Sequence, residues 1–398
     1  MARRLGFSGK QGLFAGLLLC LLLPPLQGWL NMKIFRTAPL VGYQAPAPRP
    51  TLSWDSLRTN TYQPALERYL TEHIGFHDRF IRPRNQLAYS LFGQVKVNEV
   101  LVGRNGVLFE EAPIRSALGQ NVVSEAERQQ HIARFKILQD TLARRGKLLV
   151  FVIAPSKAAF YPELLPAEYR QGWAQPSNAR LYGPEMRAAG INLVDFGARF
   201  RQWKDTAAYP LFPRGGIHWS LYGVTEAAKV LFPYLEERGH FDLPDFRPTG
   251  LEVTTTTRYT DNDMVRAMNL VWDPAAFPMA YPTIVFEAPK PGQRRPRLLV
   301  VGDSFVWNLI EHYPYLDHLF ADDSHFWYYN QQVQWRRHNG QLAGETDVAR
   351  LDRKAQLLTH DVVLVLFNEH NLLSFDSGFS EAALQAFAPP APAAAAAR

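Results

Sequence analysis

A chain of 398 residues, 47% apolar and 20% charged, can bury a sizeable core in one large domain or two lobes, which excludes disorder throughout. Its net charge of +6 is small for this length, and Arg144, Arg145, Arg294, Arg295 and Arg297 adjoin apolar strands without forming a basic stripe. That pattern speaks against a nucleic-acid partner.

Residues 1–36 read as an export element. Arg3, Arg4 and Lys10 precede a run from Gly12 to Leu30 without charge, the pattern of a signal or anchor. At about 19 residues the run approaches the length that spans a bilayer. No small-x-small cleavage site precedes Trp29, so the expectation is an uncleaved anchor, with the remainder outside the cytoplasm. Cys20, the sole cysteine, follows Leu19, where a lipoprotein site needs a small residue, and reads as a packed apolar side chain. The exported part therefore forms no disulfide.

Residues 37–61 are proline-rich and read as an extended spacer ahead of a folded domain over 62–385. Ser124 with Glu127 makes a capping box for a helix whose apolar positions are Ile132, Phe135, Leu138 and Leu142, ended by Gly146. Leu148–Ala154 follows as a continuous apolar run, the look of a strand buried on both faces. Residues 191–196, 297–301 and 361–367 share that character, and four such strands imply α/β with a parallel sheet flanked by helices. Residues 240–296 are rich in Thr and Pro and read as an inserted or smaller β-rich region. Residues 386–398, mostly Ala and Pro, read as a disordered tail.

Two motifs carry chemistry. Gly302-Asp303-Ser304 follows a buried strand, which puts the serine at the carboxyl edge of the sheet, where open parallel sheets bind ligands. Gly302 permits a tight turn, the Ser304 hydroxyl can attack, and backbone amides there can hold an oxyanion. The same residues can equally cap the next helix. Gly215-Gly216-Ile217-His218-Trp219-Ser220 reads as a loop entering a helix over 224–232, and a serine nucleophile needs a base such as His218. Trp219 either walls the site or packs the core.

Further blocks are Leu66–Leu70 to Gly75–Arg79, Val102–Phe109, Ile153–Lys157 with Tyr161-Pro162-Glu163 and Pro166, and then the histidine and serine motifs. Together, in this order over residues 62–372, they resemble the periplasmic SGNH-like polysaccharide O-acetyltransferases of the alginate acetylation type, with their relatives in acetylated-cellulose systems. The histidine precedes the serine, so the family resembles a circular permutation of ordinary SGNH hydrolases. The resemblance implies transfer of acetyl through a Ser304 acyl-enzyme to a hydroxyl of an alginate- or cellulose-like exopolysaccharide, with His218 as base and then acid. It also implies a membrane-embedded partner that supplies acetyl. Water as acceptor would give an esterase, and a degenerate site a polysaccharide-binding scaffold.

One position departs from the family. Its pattern is Asp-x-His-Trp, and here Gly216 stands where the orienting acid belongs. Asp195 at a strand end, or Asp261 or Asp263 in the inserted region, are the carboxylates that can substitute; a backbone carbonyl is another route. Asn368 and Asn371 after the last strand are oxyanion candidates or satisfied loop ends. Lys157 is either a cation for an acidic sugar or a solvated lysine. His312, His318 and His325 lack metal-ligand spacing, so neither metal nor cofactor is expected.

Overall fold

The computed structural model describes residues 9–30, 39–42, 47–170, 176–334 and 346–388. The chain divides into two compact units, Met1–Val97 with Val265–Pro274, and Asn98–Met264 with Ala275–Arg398.

In the first unit lie the helices Gly9–Leu30, Trp54–Arg58, Tyr62–His73 and His77–Phe92. Gly9–Leu30 is long and apolar enough to cross a membrane, which anchors and signal sequences both satisfy. Polar side chains of His77–Phe92 hold the returning segment 265–274. Asn85 Nδ2 donates to the Met268 carbonyl at 2.9 Å, and Gln86 Oε1 accepts the Val271 N–H at 3.1 Å. These bonds join residues 265–274, which lie within the expected inserted region, to the helical unit, and the second unit starts at Asn98. Residues 1–8 and 31–36 of the expected anchor, 37, 38 and 43–46 of the spacer, and 389–398 of the tail lie outside the described residues.

The second unit has strands β1 (Val100–Val102), β2 (Leu108–Glu110), β3 (Leu148–Ala154), β4 (Leu193–Asp195), β5 (Phe246–Thr254), β6 (Met279–Phe286), β7 (Leu298–Gly302), β8 (His325–Tyr328), β9 (Gln332–Val333), β10 (Thr346–Asp347) and β11 (Val362–Asn368). Seven of them form one sheet in the order β10-β9-β8-β7-β11-β3-β4. The run from β8 to β4 is parallel, and β9 and β10 add an antiparallel edge. The four apolar runs of the sequence are β7, β11, β3 and β4, adjacent in the sheet. β1 with β2 and β5 with β6 make two separate antiparallel pairs.

Continuous apolar strands are explained by two cores, one on each face. Val150 and Val152 of β3, Val300 of β7 and Leu364 of β11 point into a core shared with the helices Phe196–Trp203 and Leu221–Gly239. Their neighbours Phe151, Ile153, Val301 and Val365 point into the other, with Glu125–Ala143, Asn178–Ala188 and Phe379–Phe387. Each fully buried aliphatic or aromatic side chain contributes about 1.5–3 kcal/mol, so this alternation fixes the register firmly. Ser124 caps Glu125–Ala143 by accepting the Glu127 N–H at 3.3 Å, and Gly146 takes the left-handed conformation (φ +69°) after its last turn. Because the strands are parallel, β3, β4, β7 and β11 deliver their carboxyl ends, Pro155–Lys157, Asp195, Asp303–Ser304 and Asn368–Asn371, to one edge.

Candidate active site

Gly302 ends β7 fully buried, and a Cβ on it would overlap the Leu366 carbonyl and lie 2.8 Å from Val306 Cγ2. Asp303 then fixes the turn. Its N–H donates to the Leu366 carbonyl (3.2 Å), one carboxylate oxygen accepts the Phe305 N–H (3.0 Å), and the other accepts the Asn368 N–H (2.6 Å) and Asn371 Nδ2 (2.7 Å). Burial raises the Asp303 pKa while these donors oppose the rise. So Asp303 is the cap of the following turn, and the Ser304 hydroxyl is left for another partner.

That partner is His218. Its Nε2 lies 2.9 Å from Ser304 Oγ, and the ring packs on Phe305 with centroids 4.8 Å apart. Nδ1 lies 2.9 Å from Asp263 Oδ2. A carboxylate on Nδ1 selects the tautomer with its proton there, leaving Nε2 to accept from the serine hydroxyl. The other oxygen, Asp263 Oδ1, accepts the N–H of Ile217 (2.9 Å) and Met264 (2.7 Å), so the acid also grips the loop that carries the histidine.

Gly216 explains why the acid comes from there. A Cβ at Gly216 would overlap the Thr260 carbonyl and lie 2.8 Å from Pro213 Cγ and 2.9 Å from the Asp261 carbonyl carbon. No side chain fits where the turn Tyr259–Asn262 presses on this loop, and that same approach delivers Asp263 to the ring. Asn308, fully buried, ties the parts together: its Nδ2 donates to the Trp219 carbonyl (3.3 Å) and to Thr260 Oγ1 (3.1 Å).

Ser304 opens into a cleft of about 260 Å³ whose lining includes Glu110, Lys157, Ile217, Met264, Tyr329 and His370. Lys157 is buried, donates to the carbonyls of Gly216 (2.8 Å) and Arg214 (3.0 Å), and lies over the Phe109 ring at 5.5 Å. Burial pulls its pKa down to about 7, against the opposing pull of Asp263, Asp261 and Glu110. Burial raises the Glu110 carboxyl, and Asp263 adds to the rise. Burial also pushes the Tyr329 phenol up to about 12, so it stays a donor at neutral pH. His370 is lowered by burial.

Ser304, His218 and Asp263 are thus brought together, and several other expectations are corrected. Asp195 caps Phe196–Trp203 through the Ala198 N–H (2.9 Å) and pairs with Arg187 (2.7 Å), so it is spent elsewhere. Asp261 is fully buried with neither oxygen hydrogen-bonded to His218, and burial raises its pKa to about 7. Trp219 does not wall the cleft: it is wholly buried against Phe196, Phe200 and Phe305. Asn368 and Asn371 line the cleft, but their amides are committed, Asn368 Nδ2 to the Pro155 carbonyl (2.8 Å) and Asn371 Nδ2 to Asp303 and the Tyr329 hydroxyl (3.4 Å). Gly302 is a packing residue outside the cleft lining. Lys157 is no solvated lysine, yet its ammonium serves the histidine loop. Among the described residues no cluster of three or more His, Cys, Asp or Glu can hold a metal ion. Glu110, Tyr329 and Asn308 went unnoticed in the sequence, where nothing distinguishes them from ordinary strand-end and loop residues.

The family described as SGNH hydrolase-like domain, acetyltransferase AlgX, matches residues 100–323, more than half of the chain. The chain belongs to this family. A probable alginate O-acetylase AlgJ from Pseudomonas aeruginosa is 32% identical over 162 residues, 40% of this chain and 38% of that protein. Its namesake from Azotobacter vinelandii is 31% identical over 177 residues, 41% and 42% of the two chains. The chain thus spans less than half the length of these curated relatives. Among solved structures, the O-acetyltransferase domain of Pseudomonas putida AlgJ matches with a TM-score of 0.42 at 19% identity, over 71% of this chain and 99% of that one. Bacillus cereus PatB1 with a sulfonyl adduct matches with a TM-score of 0.44 at 12% identity, over 71% and 98%. Gly216 stands two residues before His218, and the carboxylate that meets the ring is Asp263, just after the turn Tyr259–Asn262.

Proposed function

We propose that the protein is a serine O-acetyltransferase that moves acetyl onto a hydroxyl of an exopolysaccharide, with Ser304 as nucleophile, His218 as base and acid, and Asp263 as the orienting carboxylate. The observation that carries this reading is the unbroken chain from Ser304 Oγ through both ring nitrogens of His218 to Asp263, each link 2.9 Å. Ser304 Oγ attacks the acetyl carbonyl carbon as its proton passes to His218 Nε2; the tetrahedral intermediate collapses, and the leaving group takes that proton. The acceptor hydroxyl then gives its proton to His218 as its oxygen attacks the acetyl-serine, and Ser304 leaves reprotonated. Asp263 supports the imidazolium that forms at each stage. The Ser304 N–H, orphaned at the start of its helical turn, and the protonated Tyr329 hydroxyl are the donors offered to the oxyanion. Water in place of the sugar would give ester hydrolysis by the same residues.

The relatives named alginate O-acetylases support a polysaccharide acceptor, and the apolar helix Gly9–Leu30 behind its cationic flank supports attachment to a membrane; the periplasmic face of the inner membrane and a membrane-embedded acetyl donor follow from the family resemblance. Full-length protein should release p-nitrophenol from p-nitrophenyl acetate and form a Ser304 adduct with a serine-directed phosphonate. Ser304→Ala should abolish both, lowering turnover by at least about a thousandfold with the fold intact. Undiminished turnover in that variant would overturn the assignment.

A further inference from the structure

We infer that the cleft beside Ser304 takes an uncharged sugar unit, with Glu110 as the residue that binds its hydroxyls and turns uronates away. Glu110 ends β2 and lines the cleft, and among the described residues its carboxylate makes no hydrogen bond or ion pair. A half-buried carboxylate without donors is costly, and a ligand that supplies O–H groups relieves it. Adjacent hydroxyls of a pyranose do so as a pair.

The charges around it exclude an acidic ring. Among the described residues no arginine lines the cleft, and the one ammonium that does, Lys157, already donates to the Gly216 and Arg214 carbonyls and faces Asp263, Asp261 and Glu110. His370 is held towards its neutral form by burial. A sugar carboxylate entering here would meet Glu110 with no free cation among the described residues to receive it, and like charges brought together oppose binding. Ile217, Met264 and Phe305 also line the cleft, and their apolar side chains suit the C–H face of a neutral ring. The cleft, about 260 Å³, is just below the range of roughly 300–1,000 Å³ for small-molecule sites and has room for one such ring. The inference deepens the proposed transferase reading and depends on it only for what happens to the bound sugar.

Binding to full-length Ser304→Ala protein separates the two. Because burial raises the Glu110 carboxyl, the comparison is made at a mildly alkaline pH, where a cellohexaose probe should bind at least about tenfold more tightly than a hexamannuronate probe. Adding Glu110→Gln should weaken cellohexaose and bring the two affinities within about threefold. Equal or tighter binding of hexamannuronate, or a ratio untouched by Glu110→Gln, would overturn the inference. Transfer from p-nitrophenyl acetate to each hexasaccharide by the Ser304 protein, followed by mass spectrometry, is the second arm. Preferred binding of cellohexaose with no acetyl transfer would sink the transferase reading and leave the binding assignment standing.

Discussion

The two neighbours of His218 are held in place by different means. Ser304 follows a strand buried on both faces, and the carboxylate of Asp303 ties its turn to the end of β11. Asp263 follows the turn Tyr259–Asn262, between the antiparallel strands β5 and β6, and reaches the ring because Gly216 lets that turn come close. Ser304 is positioned by the core of the fold, Asp263 by a contact between two loops. Damage to the first should cost stability; damage to the second should cost activity.

Asp263→Asn is the sharpest way to break that contrast. The amide favours the wrong imidazole tautomer, so kcat for ester turnover should fall about 10⁴-fold with the melting temperature little changed. Global unfolding in that variant would erase the distinction. Asp303→Asn should do the reverse in thermal or urea unfolding: an NH₂ replaces an acceptor of two buried donors, at a cost of about 2–4 kcal/mol. Gly216→Ala should fall between, costing about 1–3 kcal/mol as the loops part and lowering kcat more than it raises KM.

The smallest effect concerns Asp261. Its folded pKa, about 7, lies above the unfolded value, so ionising it penalises the folded state. That penalty grows as pH rises from about 4 and is complete above about 7. Asp261→Asn should therefore unfold at higher urea than the parent at alkaline pH and at the same urea in acid. A gain of equal size at both pH values would contradict burial as the cause.

Legibility in the sequence follows the same division. β3, β7 and β11 were readable because burial on both faces leaves an unbroken apolar run, and Ser304 was readable because its motif is contiguous with one. β8 escaped because its four residues, His325-Phe326-Trp327-Tyr328, bury only the middle two and make no long aliphatic run. Asp263 was one of three carboxylates named, and only the approach of a distant turn distinguishes it. Glu110 and Tyr329 were invisible because their meaning comes from the cleft they share. Tyr329 reaches it from a left-handed residue (φ 49°) just past β8.

The alternation of β7 between two cores has a further consequence, for how such a site can change over generations. A one-residue insertion within Leu298–Gly302 would exchange the cores of the later side chains of β7 and turn Ser304 away from its present side of the sheet. The connection bearing Asp263 has no such parity, and surface connections accept insertions and deletions readily. A residue gained or lost in the connection bearing Asp263 can thus be absorbed by that loop, whereas one gained in β7 displaces Ser304.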